Sequence, residues 1–205
     1  MLKFLKKNNA YKSYQDKRNN IENWDLFSGR IGDGSSVLDI ACDAGFYSLE
    51  AAKKNCFVLG VDILKESLKK AKKNAESMAL TRYVTFMERH VDEPFIDSLP
   101  VFEYVLCLSV FHHFCRAYGE DTAKKMIVGL FNTCGHSLFL QIPSKIGKYT
   151  EDFSVDFKGD QSKIEEYIVG IFHDCPDVEI SYLGAKEEKP PGEQYRFLFE
   201  ISHKT

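Results

Sequence analysis

Three aspartates carry the clearest chemistry in this 205-residue chain: Asp39, Asp43 and Asp62. The first two flank a run of small residues, Asp39-Ile40-Ala41-Cys42-Asp43-Ala44-Gly45. Small side chains let a ligand approach the backbone, and Gly45 takes a positive φ without penalty. A pyrophosphate site would want G-x-G-x-x-G and a free helix N-terminus. Two carboxylates beside the turn repel phosphate and attract a cation. At an effective dielectric near 20, a unit charge pair about 4 Å apart gains roughly 4 kcal/mol before desolvation. Asp62 lies 23 residues beyond Asp39. An acid about 20 residues after a glycine turn accepts hydrogen bonds from ribose hydroxyls. A positively charged nucleoside without phosphate answers to all three.

A second group follows the run Tyr104–Ser109. His112 and His113 stand directly after it, with Ser109 before them and the aromatics Phe111, Phe114 and Tyr118 around them. Histidine with an intrinsic pKa near 6.5 is suited to remove a proton at neutral pH. Neighbouring side chains on one element point apart, so one of the pair faces a ligand; His113 is preferred and His112 stays open. Phe111, and Trp24 ahead of the first strand, are candidate walls for an acceptor, against the plainer reading of each as core. Other chemistries lack their residues. There is no H-E-x-x-H, C-x-x-C, G-x-S-x-G or G-K-[ST], so no metal is expected. Cys42 lies in the acidic turn, where carboxylates raise a thiol pKa, and is discounted as a nucleophile.

The elements that must hold these residues read as an α/β sheet. Val37–Ala41, Phe57–Ile63, Tyr83–Met87, Tyr104–Ser109 and Ser137–Ile142 are apolar runs of the kind buried on both sheet faces. Between them, Leu64, Leu68, Ala71, Ala75 and Met78 recur at helical spacing, as do Ala123, Met126, Ile127, Leu130 and Phe131. A further helix is predicted through Ile164–Phe172, and one begins near Ser48. Strands alternating with helices of this length give right-handed crossovers and parallel pairing. Val178–Leu183 and Tyr195–Ile201 are joined by Gly184–Gln194, too short for a crossover helix, so they form an antiparallel hairpin. The reading is a doubly wound, Rossmann-like sheet of seven strands with helices on both faces. Residues 1–34 form a helical arm and substrate cap, and residues 35–205 the sheet domain. In such sheets ligands bind beyond the carboxyl ends of the strands.

At this point VLDIACDAGFYSLEAA, GVDI and FEYVLCLSVFHHF resemble the class I S-adenosylmethionine-dependent methyltransferases over roughly Ser35 to Pro143. The resemblance implies S-adenosylmethionine as cofactor and a reversed final strand. Position by position, it makes Asp39 the acid near the cofactor amino group. Ala41 and Asp43 stand where the family motif has its first two glycines, and Gly45 keeps the third, with Phe46 beside it. Asp62, with Ile63, becomes the ribose side. His90 with Val91 marks the adenine side, Asp92 being the other candidate, and Ser109 lines the methionine end. If position 41 needs φ > 0, alanine there is strained by about 1–2 kcal/mol.

Composition narrows the partners. The 27 basic and 30 acidic side chains leave a net charge of −3, so the whole molecule is not a polyanion binder. Residues 1–20 carry +5 and residues 151–205 carry −7. A small-molecule acceptor is expected, methylated at oxygen or nitrogen. The first alternative is RNA or tRNA, held by the basic arm Lys3–Arg18; the second is a non-catalytic cofactor-binding or scaffold protein. No apolar run approaches the roughly 18 residues of a membrane span. With six cysteines read as reduced core thiols and no secretory stretch at the start, a cytoplasmic enzyme is expected. The oligomeric state is not read from sequence.

Overall fold

The computed structural model describes residues 20–143, 154–157, 159–187 and 195–204. The arm Lys3–Arg18, and Pro190, Pro191 and Gly192 of the polar loop, lie outside them. Seven strands form one sheet: β1 (Ser36–Ile40), β2 (Phe57–Asp62), β3 (Val84–Glu88), β4 (Phe102–Leu108), β5 (Cys134–Pro143), β6 (Val178–Glu187) and β7 (Tyr195–His203). Their order is β3-β2-β1-β4-β5-β7-β6. β1 to β5 pair in parallel, and β7 runs antiparallel to both β5 and β6. The sheet reverses direction of growth between β1 and β4, which opens a crevice beyond their carboxyl ends.

Helices cover both faces, and each strand divides its side chains between them. Val37 of β1 enters a core cluster with Trp24, Phe27, Phe46, Leu49 and Leu68, whereas Leu38 and Ile40 enter the cluster on the opposite face. In β5, Phe139 belongs to the first cluster and Leu138, Leu140 and Ile142 to the second. Period-two alternation with both sides apolar gives near-continuous hydrophobic runs. The first face carries α1 (Asn20–Asp25), a 3₁₀ turn (Ser28–Arg30), α2 (Phe46–Lys53) and α3 (Lys65–Ser77). The second carries α4 (Glu93–Asp97), α5 (Phe111–Tyr118), α6 (Glu120–Asn132) and α7 (Gln161–Ile171). In α3 the buried stripe is Leu68, Ala71 and Ala75, with Lys69, Lys70, Lys72 and Lys73 facing water.

Three local readings need correction. The helix expected near Ser48 starts two residues earlier, because left-handed Gly45 is its N-cap. The polar loop begins later than Gly184, since β6 runs to Glu187 across a register shift at Tyr182/Gly184. Two short helices escaped periodicity. In α4, Asp92 caps the N-terminus by accepting from the Phe95 N–H at 2.9 Å, with Pro94 in its first turn. α5 follows β4 after only Ser109 and Val110. The six cysteines are free thiols, five of them buried.

Candidate cofactor and acceptor site

The crevice is built from the turn that follows β1. Ala41, Asp43 and Gly45 all have left-handed φ, at 57°, 48° and 78°. The chain thus makes three successive reversals at alternate positions, and two of them use residues with a Cβ. For Ala41 the cost is about 1–2 kcal/mol; Asp43 bears it more easily because aspartate visits this region. At Gly45 a side chain has no room: an added Cβ would lie 2.8 Å from the Phe86 ring and 3.0 Å from Ala71. Gly60 of β2 shows the same crowding, its Cβ falling 2.7 Å from Phe86 and 2.9 Å from Ser48 Oγ. Phe86 therefore fits only because two glycines let α2 sit close to β2 and β3.

The three aspartates take different roles. Asp62, 6% exposed, braces the turn: the Asp43 N–H donates to one carboxylate oxygen at 2.8 Å and the Leu64 N–H to the other at 2.7 Å. Each oxygen keeps a second lone pair, so the group still has acceptor capacity. Asp39, 2% exposed, accepts from Ser48 Oγ at 2.5 Å. Burial pushes its pKa up to about 7, against the Ser48 hydrogen bonds that lower it, with the Asp62 charge adding to the rise. The Asp43 carboxylate accepts from Ser67 Oγ at 2.6 Å and so ties the turn to α3. Both carboxylates expected beside the turn are there, Asp39 buried and Asp43 engaged with Ser67. Burial first, then Asp39, Asp62 and Asp43, hold the Cys42 thiol far above its usual range.

These residues fit a cationic nucleoside. A cation beside Asp39 favours the ionised form that burial disfavours. Directly beyond Asp62, Ile63 and Leu64 are 55% and 59% exposed, an apolar surface next to an acid. Beyond β3, His90 and Val91 are joined through Tyr118 of α5: its hydroxyl lies 2.5 Å from His90 Nδ1 and donates to the Val91 carbonyl at 2.9 Å. The Tyr118 hydroxyl thus sits between a ring nitrogen of His90 and the Val91 carbonyl. Asp92, the alternative candidate, is occupied in capping α4.

At the β4 end, Ser109 is again left-handed, φ 60°, and partly buried. Its hydroxyl donates to Gln141 Oε1 of β5 at 2.5 Å. Gln141 Nε2 donates to Asn23 Oδ1 of α1 at 2.8 Å, and Asn23 Nδ2 donates to the Tyr47 hydroxyl of α2 at 2.8 Å. Of His112 and His113, the first is buried at 1% and the second exposed, their rings 4.1 Å apart. Phe111 is fully buried and meets Tyr167 edge-on. Trp24 is buried and packs edge-on to Phe27 at 5.2 Å. Sequence reasoning missed Ser48, Ser67, Gln141 and Asn23, and placed Tyr118 with the acceptor aromatics rather than beside His90. Only Gln141, a lone amide in the apolar run SLFLQI, left a signal. Among the described residues no group of three His, Cys, Asp or Glu side chains is placed to hold a metal.

Known proteins are similar to this chain in sequence and in fold. Residues 31–124 match the family model described as a methyltransferase domain. The chain is 32% identical over 108 residues to the O-antigen chain terminator bifunctional methyltransferase/kinase WbdD of Escherichia coli, covering 52% of this chain and 15% of that protein. It is 36% identical over 98 residues to a putative ribosomal RNA large subunit methyltransferase of Methanocaldococcus jannaschii, covering 45% of this chain and 24% of that one. The aligned segment is thus under a quarter of either relative's length. In fold, the chain superposes on crystalline WbdD with a TM-score of 0.69 at 21% identity, over 89% of this chain and 38% of that one. Magnesium protoporphyrin IX methyltransferase from Synechocystis, solved with bound S-adenosylmethionine, superposes with a TM-score of 0.61 at 21% identity, over 90% and 77%. Residues 31–124 are thus similar to a methyltransferase domain, and the chain has the fold of solved methyltransferases.

Proposed function

We propose that the chain transfers a methyl group from S-adenosylmethionine to oxygen or nitrogen of a small-molecule acceptor. The observation that carries this reading is the turn at 41, 43 and 45. It keeps the left-handed backbone although two glycines of the family motif are replaced, and it stays braced by Asp62. A scaffold that had lost its cofactor would have no need of that strain.

S-adenosylmethionine supplies a methyl group on a sulfonium that leaves as a neutral thioether. The chain's own residues do the rest. Asp62 accepts from ribose hydroxyls, and Ile63 covers the base. His90 meets the edge of the base, with Val91 beside it. Asp39, Ala41, Asp43, Gly45 and Phe46 hold the amino-acid end through backbone groups and the Asp39 charge, and Ser109 closes that end. His113, exposed at the head of α5, takes the proton released as the acceptor oxygen or nitrogen is methylated. His112 packs beneath it. Trp24 and Phe111 back the acceptor side from α1 and α5.

A small acceptor is supported by the acidic balance of the chain and by α1, which covers the face carrying Gln141. The RNA reading rests on the basic residues 1–20, on the exposed lysines of α3, and on the M. jannaschii relative's name. Isothermal calorimetry of the full chain with S-adenosylhomocysteine is the test. The wild type should bind, and Asp62→Ala should weaken binding roughly fivefold or more, as expected for losing a charged acceptor. An unchanged dissociation constant in Asp62→Ala would move the nucleoside elsewhere. No binding by the wild type would leave the scaffold reading standing.

A further inference from the structure

The buried amides Asn23 and Gln141 are not explained by packing. Both lie on the sheet face otherwise filled by Trp24, Phe27 and Phe139, and they are 1% and 3% exposed. Buried polar groups cost stability unless bonded, and apolar side chains of the same shape are often as stable. What this pair adds is direction. Tyr47 oxygen accepts from Asn23, Asn23 oxygen from Gln141, and Gln141 oxygen from Ser109. The Ser109 proton is thereby committed toward the core. Its oxygen has lone pairs and no remaining proton, so it serves as acceptor alone. It sits one residue beyond β4, beside the β1–β4 crevice, on strained backbone.

We propose that Asn23 and Gln141 are positioning residues that hold Ser109 as a pure hydrogen-bond acceptor for an N–H or O–H of the ligand at the methyl-transfer end, and so tie α1 to that ligand. The proposal rests on the methyltransferase reading above. α1 is then part of the site rather than a passive cover. A ligand group that donates to Ser109 Oγ strengthens the chain of bonds behind it and holds α1 against the sheet. Conversely, an undocked α1 frees Gln141 and lets the Ser109 proton turn outward, where it opposes a donor.

Trp24 is the only tryptophan in the sequence and adjoins Asn23, so its emission reports α1 alone. The experiment uses the full chain and S-adenosylhomocysteine as the probe, with calorimetry for affinity and acrylamide quenching of Trp24 for α1. In the wild type, saturating probe should lower the quenching constant by roughly half, as expected when a ligand suppresses local opening. Gln141→Leu, which frees the Ser109 proton to oppose the ligand's donor, should weaken probe binding about threefold or more and lose the Trp24 response. Ser109→Ala, which removes one hydroxyl and spares the packing should Gln141→Leu fold poorly, should lose the response as well. A residue of purely structural worth would lower the melting temperature and leave the response intact. Persistence of the response in both variants overturns the proposal, as does a wild type that binds the probe with Trp24 unmoved. Absence of probe binding in the wild type defeats the methyltransferase reading first, and the proposal with it.

Discussion

Burial decides what each aspartate of the site is for. Asp39 is enclosed by the sheet and α2, so its ionisation is delayed until about pH 7, whereas in the unfolded chain it ionises near 3.8. The folded protein therefore binds more protons than the unfolded one between those values, and stability falls as pH rises through that window. Glu120 has the opposite sign. Against the cost of burial, hydrogen bonds from Tyr167, Lys124 and Ser154 hold its pKa at about 2, so its contribution is present above about pH 4.5 and lost as pH falls toward 2. The two windows overlap only between 3.8 and 4.5, which makes Asp39 separable above pH 4.5. Urea unfolding of the wild type should show declining stability from pH 4.5 to 7, and Asp39→Asn should flatten that decline. An equal decline in the variant would place the titration elsewhere. A cationic ligand pulls the Asp39 pKa back down, so binding below pH 7 should release a proton.

Among the elements, α2 is positioned by absences. Gly45 and Gly60 leave room for the Phe86 ring, and the ring in turn fills the angle between α2, β2 and β3. Gly60→Ala has no conformational objection, since its backbone is ordinary strand; its only fault is 2.7 Å from an aromatic carbon. Overpacking of this kind costs about 1–3 kcal/mol. Chemical denaturation should show that loss, and probe binding should weaken with it because the same helix carries Ser48 and Tyr47. A variant as stable as wild type would mean Phe86 moves freely, and the turn would then need another support. The same reasoning shows why spacing made β1 to β5 and α3 legible while α4 and α5 were not. Long amphipathic stretches such as Leu68-Ala71-Ala75 repeat their period. A five-residue helix such as α4 is stopped and started by its cap and proline, before any period can accumulate.

The molecule as a whole places its charge unevenly, and this bears on the acceptor. Its net charge is −3, yet the exposed side of α3 carries Lys69, Lys70, Lys72 and Lys73, and residues 1–20 carry +5. No helix among the described residues is long and apolar enough to cross a membrane. If the acceptor is small, a labelled RNA hairpin should bind the full chain weakly, and fluorescence anisotropy should show that binding collapse between about 50 and 200 mM salt. S-adenosylhomocysteine affinity should change little over the same range, since Asp39 and Asp62, which would hold it, are buried and little screened. RNA binding that stays tight at the upper salt concentration would transfer the acceptor reading to RNA.

Local chemistry was written plainly in the linear chain. The aspartates at 39 and 62, Gly45 and the alternating apolar runs depend on neighbours within one turn or one strand, so spacing is enough to read them. Parallel pairing of the first five strands and an antiparallel final pair followed from the lengths of the connections, whereas the order of strands in the sheet came only from the structure. What needed the folded molecule were the pairings across long separations. Asn23 meets Gln141 across 118 positions, and Glu120 gathers Ser154 and Tyr167. The environment that lifts the Asp39 pKa is likewise assembled from separate elements. Hydrogen-bond partners and dielectric surroundings are properties of the space between elements, and no period or motif along one strand encodes which distant side chain will fill that space.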